Sequence, residues 1–231
     1  GVPVSNVPVY GTDTVAQHIF AVLLSLIHDP GLHDQAIREG EWQERGDFCF
    51  WKTPLMELFG KTMGIVGFGR IGRRVGEMAH AFGMEVIAHD VYQGEPPAYE
   101  PFAWAELEKV FERSDVVSLH CPQTPDNAGF VNAELLSKMK PTAYFLNAAR
   151  GGLVNEHDLA DALNDMRISG AALDVVSSEP IDPDNPLLQA TNCLLTPHIA
   201  WATVEARRRL MGTTVDNIQA FINGEPINVV N

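Results

Sequence analysis

Three side chains far apart in the second half of the chain, Arg150, Glu179 and His198, form a set that could do chemistry: a cation for a carboxylate, an acid/base, and a second carboxylate to orient it. Each alone is weak. A histidine after an apolar run is more often structural than catalytic. Arg150, ahead of Gly151-Gly152, reads equally as a strand-end cation, and Glu179, ahead of Pro180, as a solvated loop acid. What gives them weight is an upstream motif that needs a reaction partner.

That motif is Gly67-Phe68-Gly69-Arg70-Ile71-Gly72, which follows an apolar run and opens an amphipathic one, the context that separates a dinucleotide turn from chance. Gly67 permits the tight turn, Gly69 lets backbone approach a pyrophosphate, and Gly72 lets helix and strand pack closely. The helix N-terminus then faces the phosphates. Asp90 lies at the end of the next apolar run, about twenty residues on, where a carboxylate accepts ribose hydroxyls and repels a 2′-phosphate. NAD is therefore expected over NADP. The plainer alternative is a glycine turn with a surface acid, and the strand–helix–strand context disfavours it.

These residues need a scaffold, and the chain supplies alternating elements. Compact apolar runs at Met63–Val66, Val86–Ala88, Val116–Leu119, Ala143–Leu146, Ala171–Val176 and Cys193–Thr196 read as strands. Ile71, Val75, Met78, Ala79 and Phe82 recur at helical spacing between the first two. Repetition of this unit implies an α/β fold, a Rossmann-type doubly wound parallel sheet. In such sheets ligands bind beyond the carboxyl ends of the strands, where His120-Cys121-Pro122, Arg150, Asp174 and Thr196-Pro197-His198 fall. Thr12 to His28 is apolar almost all round and predicts a helix buried on more than one side, between lobes or subunits. A polar, aromatic-bearing arm spans Arg38 to Lys52, and a last helix, about Val204 to Ile222, ends near Asn223-Gly224.

Composition narrows the partners. The 231 residues, 45% hydrophobic, suffice for a sizeable core, and the net charge of −14 opposes nucleic acid and anionic membrane surfaces. The longest apolar stretch, Val15 to Ile27, is interrupted by Gln17, His18 and Ser25 and is short for a bilayer span. No basic leader opens the chain at Gly1-Val2-Pro3-Val4. Cys49, Cys121 and Cys193 have neither disulfide nor zinc spacing, so no metal site and a cytoplasmic location are expected.

Three runs in order, Asn147-Ala148-Ala149-Arg150-Gly151-Gly152-Leu153-Val154, Ala172-Leu173-Asp174-Val175 with Glu179-Pro180, and Thr196-Pro197-His198-Ile199-Ala200, resemble the signatures of the D-2-hydroxyacid dehydrogenases. Asp47-Phe48-Cys49-Phe50-Trp51 and His198-Ile199-Ala200-Trp201-Ala202 look most like the glycerate dehydrogenase (hydroxypyruvate reductase) branch, although Phe48, Phe50, Trp51 and Trp201 would also suit simple packing. The resemblance implies His198 as the acid protonating a carbonyl oxygen as hydride arrives from NADH. It implies Arg150 as the clamp on the substrate carboxylate, and Glu179 as the partner of His198. A guanidinium fork fits a carboxylate, and a neighbouring carboxylate favours the imidazolium that reduction needs. The family's formate dehydrogenases carry glutamine in place of Glu179, which disfavours formate. By the same resemblance the cofactor contacts are Gly67, Gly69, Arg70, Ile71, Gly72 and Asp90, with Cys121 and Pro122 on the adenine side. Ala148, Arg150, Asp174 and His198 complete the set, with Asp174 on the nicotinamide side.

Members of that family have a first lobe, on the order of 90 residues, ahead of the point matching Gly1. The expected organisation is thus an NAD-binding domain over residues 10–200, with 1–9 and 201–231 as remnants of a flavodoxin-like substrate lobe. A homodimer reducing a small 2-oxo acid such as hydroxypyruvate or glyoxylate is the leading expectation. The alternatives are an NAD-sensing interaction protein, as in the C-terminal-binding-protein corepressors that resemble the same family, and a dinucleotide-binding fragment without turnover.

Overall fold

The computed structural model describes residues 1–231. Seven strands form one parallel sheet: β1 (Thr62–Val66), β2 (Glu85–His89), β3 (Phe102–Trp104), β4 (Val116–Leu119), β5 (Tyr144–Asn147), β6 (Gly170–Leu173) and β7 (Cys193–Leu195). Their order is β3-β2-β1-β4-β5-β6-β7, with every pairing parallel. The direction of winding reverses between β1 and β4, and a crevice opens there at the carboxyl ends.

Both faces of the sheet are covered, which is why its central strands are apolar throughout rather than alternating. Successive side chains still part to opposite sides. Val117, Phe145, Ala171 and Leu173 join one core layer, and Val116, Tyr144, Leu146 and Ala172 the other. The first layer lies under α5 (Leu107–Arg113), α6 (Ala133–Leu136) and α7 (Glu156–Asn164), the second under α1 (Thr12–His28) and α4 (Arg70–Ala81). Helix α1 is apolar on more than one side because it packs on both the sheet and α4. Ala16, Ile19, Phe20, Leu23 and Ile27 are buried there. The last helix, α8 (Val204–Ile222), buries only Ala206 and Asn217, and Gly224 follows its end at φ +83°.

The structure departs from the sequence reading in four places. Strand β3 was not expected, because three residues leave too short a pattern to show alternation. The run Ala171–Val176 leaves the sheet after Leu173, where the Asp174 N–H still bonds Asn147 O but its carboxylate turns to another loop. The run Cys193–Thr196 ends at Leu195. A helix α2 (Pro30–Arg38) leads into the arm, and the arm itself is partly helical, with α3 (Glu41–Arg45), where Glu41 pairs with both Arg45 and Lys52.

Candidate active site

The glycine turn carries out in space what its spacing suggested. Gly67 sits at φ +92°, and a side chain there would meet the backbone of His120 and Cys121 at the end of β4. A Cβ on Gly72 would strike the Gly67 carbonyl oxygen and lie 3.1 Å from Ile65 Cγ2, so only glycine lets α4 rest on β1. Gly69, by contrast, has open space around its Cβ position and caps α4 with no side-chain hydrogen bond. The first N–H groups of α4 thus lack a capping side chain and suit a phosphate.

Two cavities flank this turn. One of about 540 Å³ lies between the ends of β1, β2 and β4 and is lined by Gly67, Gly69, Asp90, Cys121 and Pro122 among others. Asp90, one residue past β2, is held at both oxygens: Oδ2 accepts the Phe68 N–H at 2.6 Å and Oδ1 the Tyr92 N–H at 3.1 Å. Burial lowers the pKa of His120 to about 3, so it is neutral at physiological pH, and it bonds Ser118. Burial also raises the Cys121 thiol, with Asp90 adding to the effect, so Cys121 is a thiol in the cleft wall.

The second cavity, about 260 Å³, gathers Arg70, Ile71, Ala148, Arg150, Asp174 and His198 with Tyr10 and Trp201. Arg150 leaves β5 on a loop folded by Asn147, whose side chain donates to Arg150 O and accepts from Ala149 N. The guanidinium is exposed, with Nη1 on Ala149 O at 2.6 Å. Arg70 reaches Pro8 O at 2.9 Å and so faces this cavity rather than the other. His198 Nδ1 lies 2.7 Å from Glu179 Oε2, which leaves Nε2 without a protein partner. Glu179 meets the cavity only through His198. Its loop is ordered by the buried Glu156, which accepts from Ser177 N and Oγ and from Asn185 Nδ2.

Each predicted catalytic or cofactor-contact residue therefore borders one of these two cavities or touches one that does. Asp174 has a larger part than expected. Buried, it accepts from Thr196 Oγ1 at 2.6 Å, Ile199 N at 2.9 Å and Ala200 N at 2.8 Å, which fixes the loop carrying His198. Four neighbours went unread: Thr14, His18, Tyr10 and Glu156. His18 did leave a signal, as one of the polar residues that interrupt the apolar run Val15 to Ile27.

Residues 20–200 match the model of the D-isomer specific 2-hydroxyacid dehydrogenase NAD-binding domain. The chain belongs to the D-isomer-specific 2-hydroxyacid dehydrogenase family. As a member it is an NAD-dependent oxidoreductase. It is 49% identical over 231 residues to a hydroxypyruvate reductase of Blautia hydrogenotrophica, covering all of this chain and 72% of that protein. It is 39% identical to a glycerate dehydrogenase of Methylorubrum extorquens, covering 100% of this chain and 72% of that protein. Among solved structures, a D-lactate dehydrogenase of Aquifex aeolicus complexed with NAD and lactic acid superposes with a TM-score of 0.86 at 31% identity, over 97% of this chain and 71% of that one. The open cradle at Gly69 and the cavities on either side of it fit a dinucleotide laid across the N-terminus of α4.

Proposed function

We propose that this dehydrogenase interconverts hydroxypyruvate or glyoxylate with D-glycerate or glycolate, with Arg150, Glu179 and His198 as its reacting set. The observation that carries the reading is the 2.7 Å His198–Glu179 pair beside Arg150 at the carboxyl edge of the sheet. The names of the two curated relatives support the substrate class.

NAD would lie with its adenosine half against Asp90, Cys121 and Pro122, its phosphates at Gly67, Gly69 and Gly72, and its other half along Ile71, Ala148 and Asp174. Bound there, it supplies or takes the hydride. Arg150 holds the substrate carboxylate with the donors left free by its single bond to Ala149 O. In reduction, His198 gives its Nε2 proton to the carbonyl oxygen while Glu179 holds Nδ1 and fixes the ring's orientation. Reversal uses neutral His198 as the base.

The same reading divides the chain into an NAD-binding domain at 10–200 and a second unit made of 1–9 and 201–231. Supporting it, the two terminal segments pair with each other, with Ser5 bridging Val229 and Asn6 N–H bonding Asn228 O. No single helix is long and apolar enough to cross a membrane. We further propose a cytoplasmic homodimer, supported by three unpaired cysteines and by exposed Phe48, Trp51 and Phe59 near the arm; sedimentation of the purified enzyme tests it.

The decisive experiment follows NADH oxidation against a panel of small 2-oxo acids, for the wild type, His198→Ala and Arg150→Lys. Hydroxypyruvate or glyoxylate should lead the panel. His198→Ala should lower kcat by about 10²–10⁴-fold in both directions, and Arg150→Lys should raise KM as a fork becomes a point charge. An active His198→Ala would refute the assignment.

A further inference from the structure

His198 occupies the left-handed region at φ +55°. For a residue with a Cβ this conformation is strained and persists only where the surroundings over-determine it. The surroundings here are Asp174. Its carbonyl accepts the His198 N–H at 2.8 Å, and its carboxylate accepts the next two N–H groups, of Ile199 and Ala200. The position of the imidazole therefore depends on the orientation of one carboxylate that is 3% exposed.

A buried carboxylate is in turn held by its donors. Thr196 Oγ1 donates to Asp174 Oδ1, and that hydroxyl oxygen needs a donor of its own. His18 Nε2 lies 3.1 Å from Thr196 Oγ1 and 3.5 Å from Asp174 Oδ1. One turn earlier on the same face of α1, Thr14 Oγ1 donates to Ala200 O at 3.1 Å. Thr14 and His18, two polar residues on one face of α1, thus grip both ends of the Thr196–Ala200 loop from behind.

We propose that His18 and Thr14 are positioning residues: through Thr196 and Asp174 they hold the left-handed turn that places His198 between Glu179 and the substrate cavity. The proposal rests on His198 being the proton donor argued above. In this chain His18 Nε2–H donates to Thr196, Thr196 donates to Asp174, and Asp174 accepts the backbone flanking the imidazole. Neither His18 nor Thr14 borders the cavity that holds Arg150 and His198. Their loss should therefore act on geometry rather than on binding.

The test compares His18→Leu, which removes the donor, with His18→Gln, whose amide N–H approximates Nε2, in the complete enzyme. With the best 2-oxo acid, His18→Leu should lower kcat about tenfold to a hundredfold, the effect of small misplacement of a reacting group, with far less change in KM. NADH affinity, read by fluorescence titration, should hold, while the downfield proton resonance of the His198–Glu179 bond weakens. His18→Gln should restore most of kcat and the resonance. Wild-type kcat with an intact resonance in His18→Leu overturns the proposal, as does equal loss in Leu and Gln, which would mark simple packing. If His18→Leu does not fold, His18→Asn, whose amide is too short to reach Thr196, gives the same comparison. Activity retained in His198→Ala defeats the underlying reading; full activity in His18→Leu beside an inactive His198→Ala defeats only this inference.

Discussion

Asp90 shows how one side chain joins a structural to a selective task. Its oxygens fasten the glycine turn through the Phe68 N–H, and the same charge stands at the rim of the larger cavity. A 2′-phosphate beside it meets a unit charge at a few ångströms, worth several kcal/mol at a surface dielectric of about 20. Asp90→Ser, which keeps an acceptor for Phe68, is expected to improve NADPH affinity relative to NADH at least about tenfold; an unchanged ratio by titration would remove Asp90 from selectivity. His120 is a residue-scale liability. Its ordinary pKa of 6.5 falls to about 3 through burial, so below pH 6.5 the unfolded chain binds a proton that the folded one refuses. The stability it leaves intact above pH 6.5 is lost as pH falls towards 3, about 2 kcal/mol of it by pH 5. Urea unfolding at pH 7.5 and pH 5 should show a shallower acid loss in His120→Gln than in the wild type.

At the scale of elements, two loops reach the site by packing backbone against backbone. A Cβ on Gly151 would overlap the Val176 carbonyl and lie 2.5 Å from Ser177 N, so the loop carrying Arg150 and the loop leading to Glu179 touch with no room for a methyl group. No rotamer change relieves such a clash. Gly151→Ala should therefore cost about 3 kcal/mol, at the upper end of ordinary single substitutions. It should also raise KM for the 2-oxo acid as Arg150 shifts; a normal melting temperature with normal KM would contradict the packing argument. Gly67→Ala combines a left-handed φ with backbone overlap at Cys121 and should weaken NADH binding more than it lowers the melting temperature.

Across the whole molecule, the terminal segments and α8 form a patch apart from the sheet. Asn217, buried on α8, donates to Asn6 O at 2.9 Å and accepts from Asn228 Nδ2 at 2.8 Å, and so ties the N-terminal segment, the helix and the C-terminal segment together. Asn217→Ala leaves those groups unpaired, at a cost of about 1–3 kcal/mol. If 1–9 with 201–231 is a unit distinct from 10–200, hydrogen exchange should speed up at the Asn6 and Val230 amides, which bond Asn228 O and Val4 O, while NADH affinity stays unchanged. Loss of both together would argue for a single unit.

Much of this could be read from residues in order. The glycine turn, the apolar strands and the limits of α1 and α8 are local matters, since a 3.6-residue period, a short buried run and a left-handed turn each leave a pattern within a few neighbours. Arg150, Glu179 and His198 could be named as candidates because strand ends point to a site and because three runs resemble a known family. Strand β3 was not legible, since three residues carry no period. Nor were the roles of Asp174, Glu156, Thr14 and His18, for a hydrogen bond between residues 26, 178 or 186 positions apart in sequence leaves no trace of spacing. Sequence by itself determined the sheet, the dinucleotide turn and the candidates for chemistry, because these depend on local propensity and periodicity. Only the tertiary structure decided which nitrogen of His198 is free, which carboxylate holds its turn and which helix stands behind it, because those follow from side chains brought together by burying two faces of one sheet.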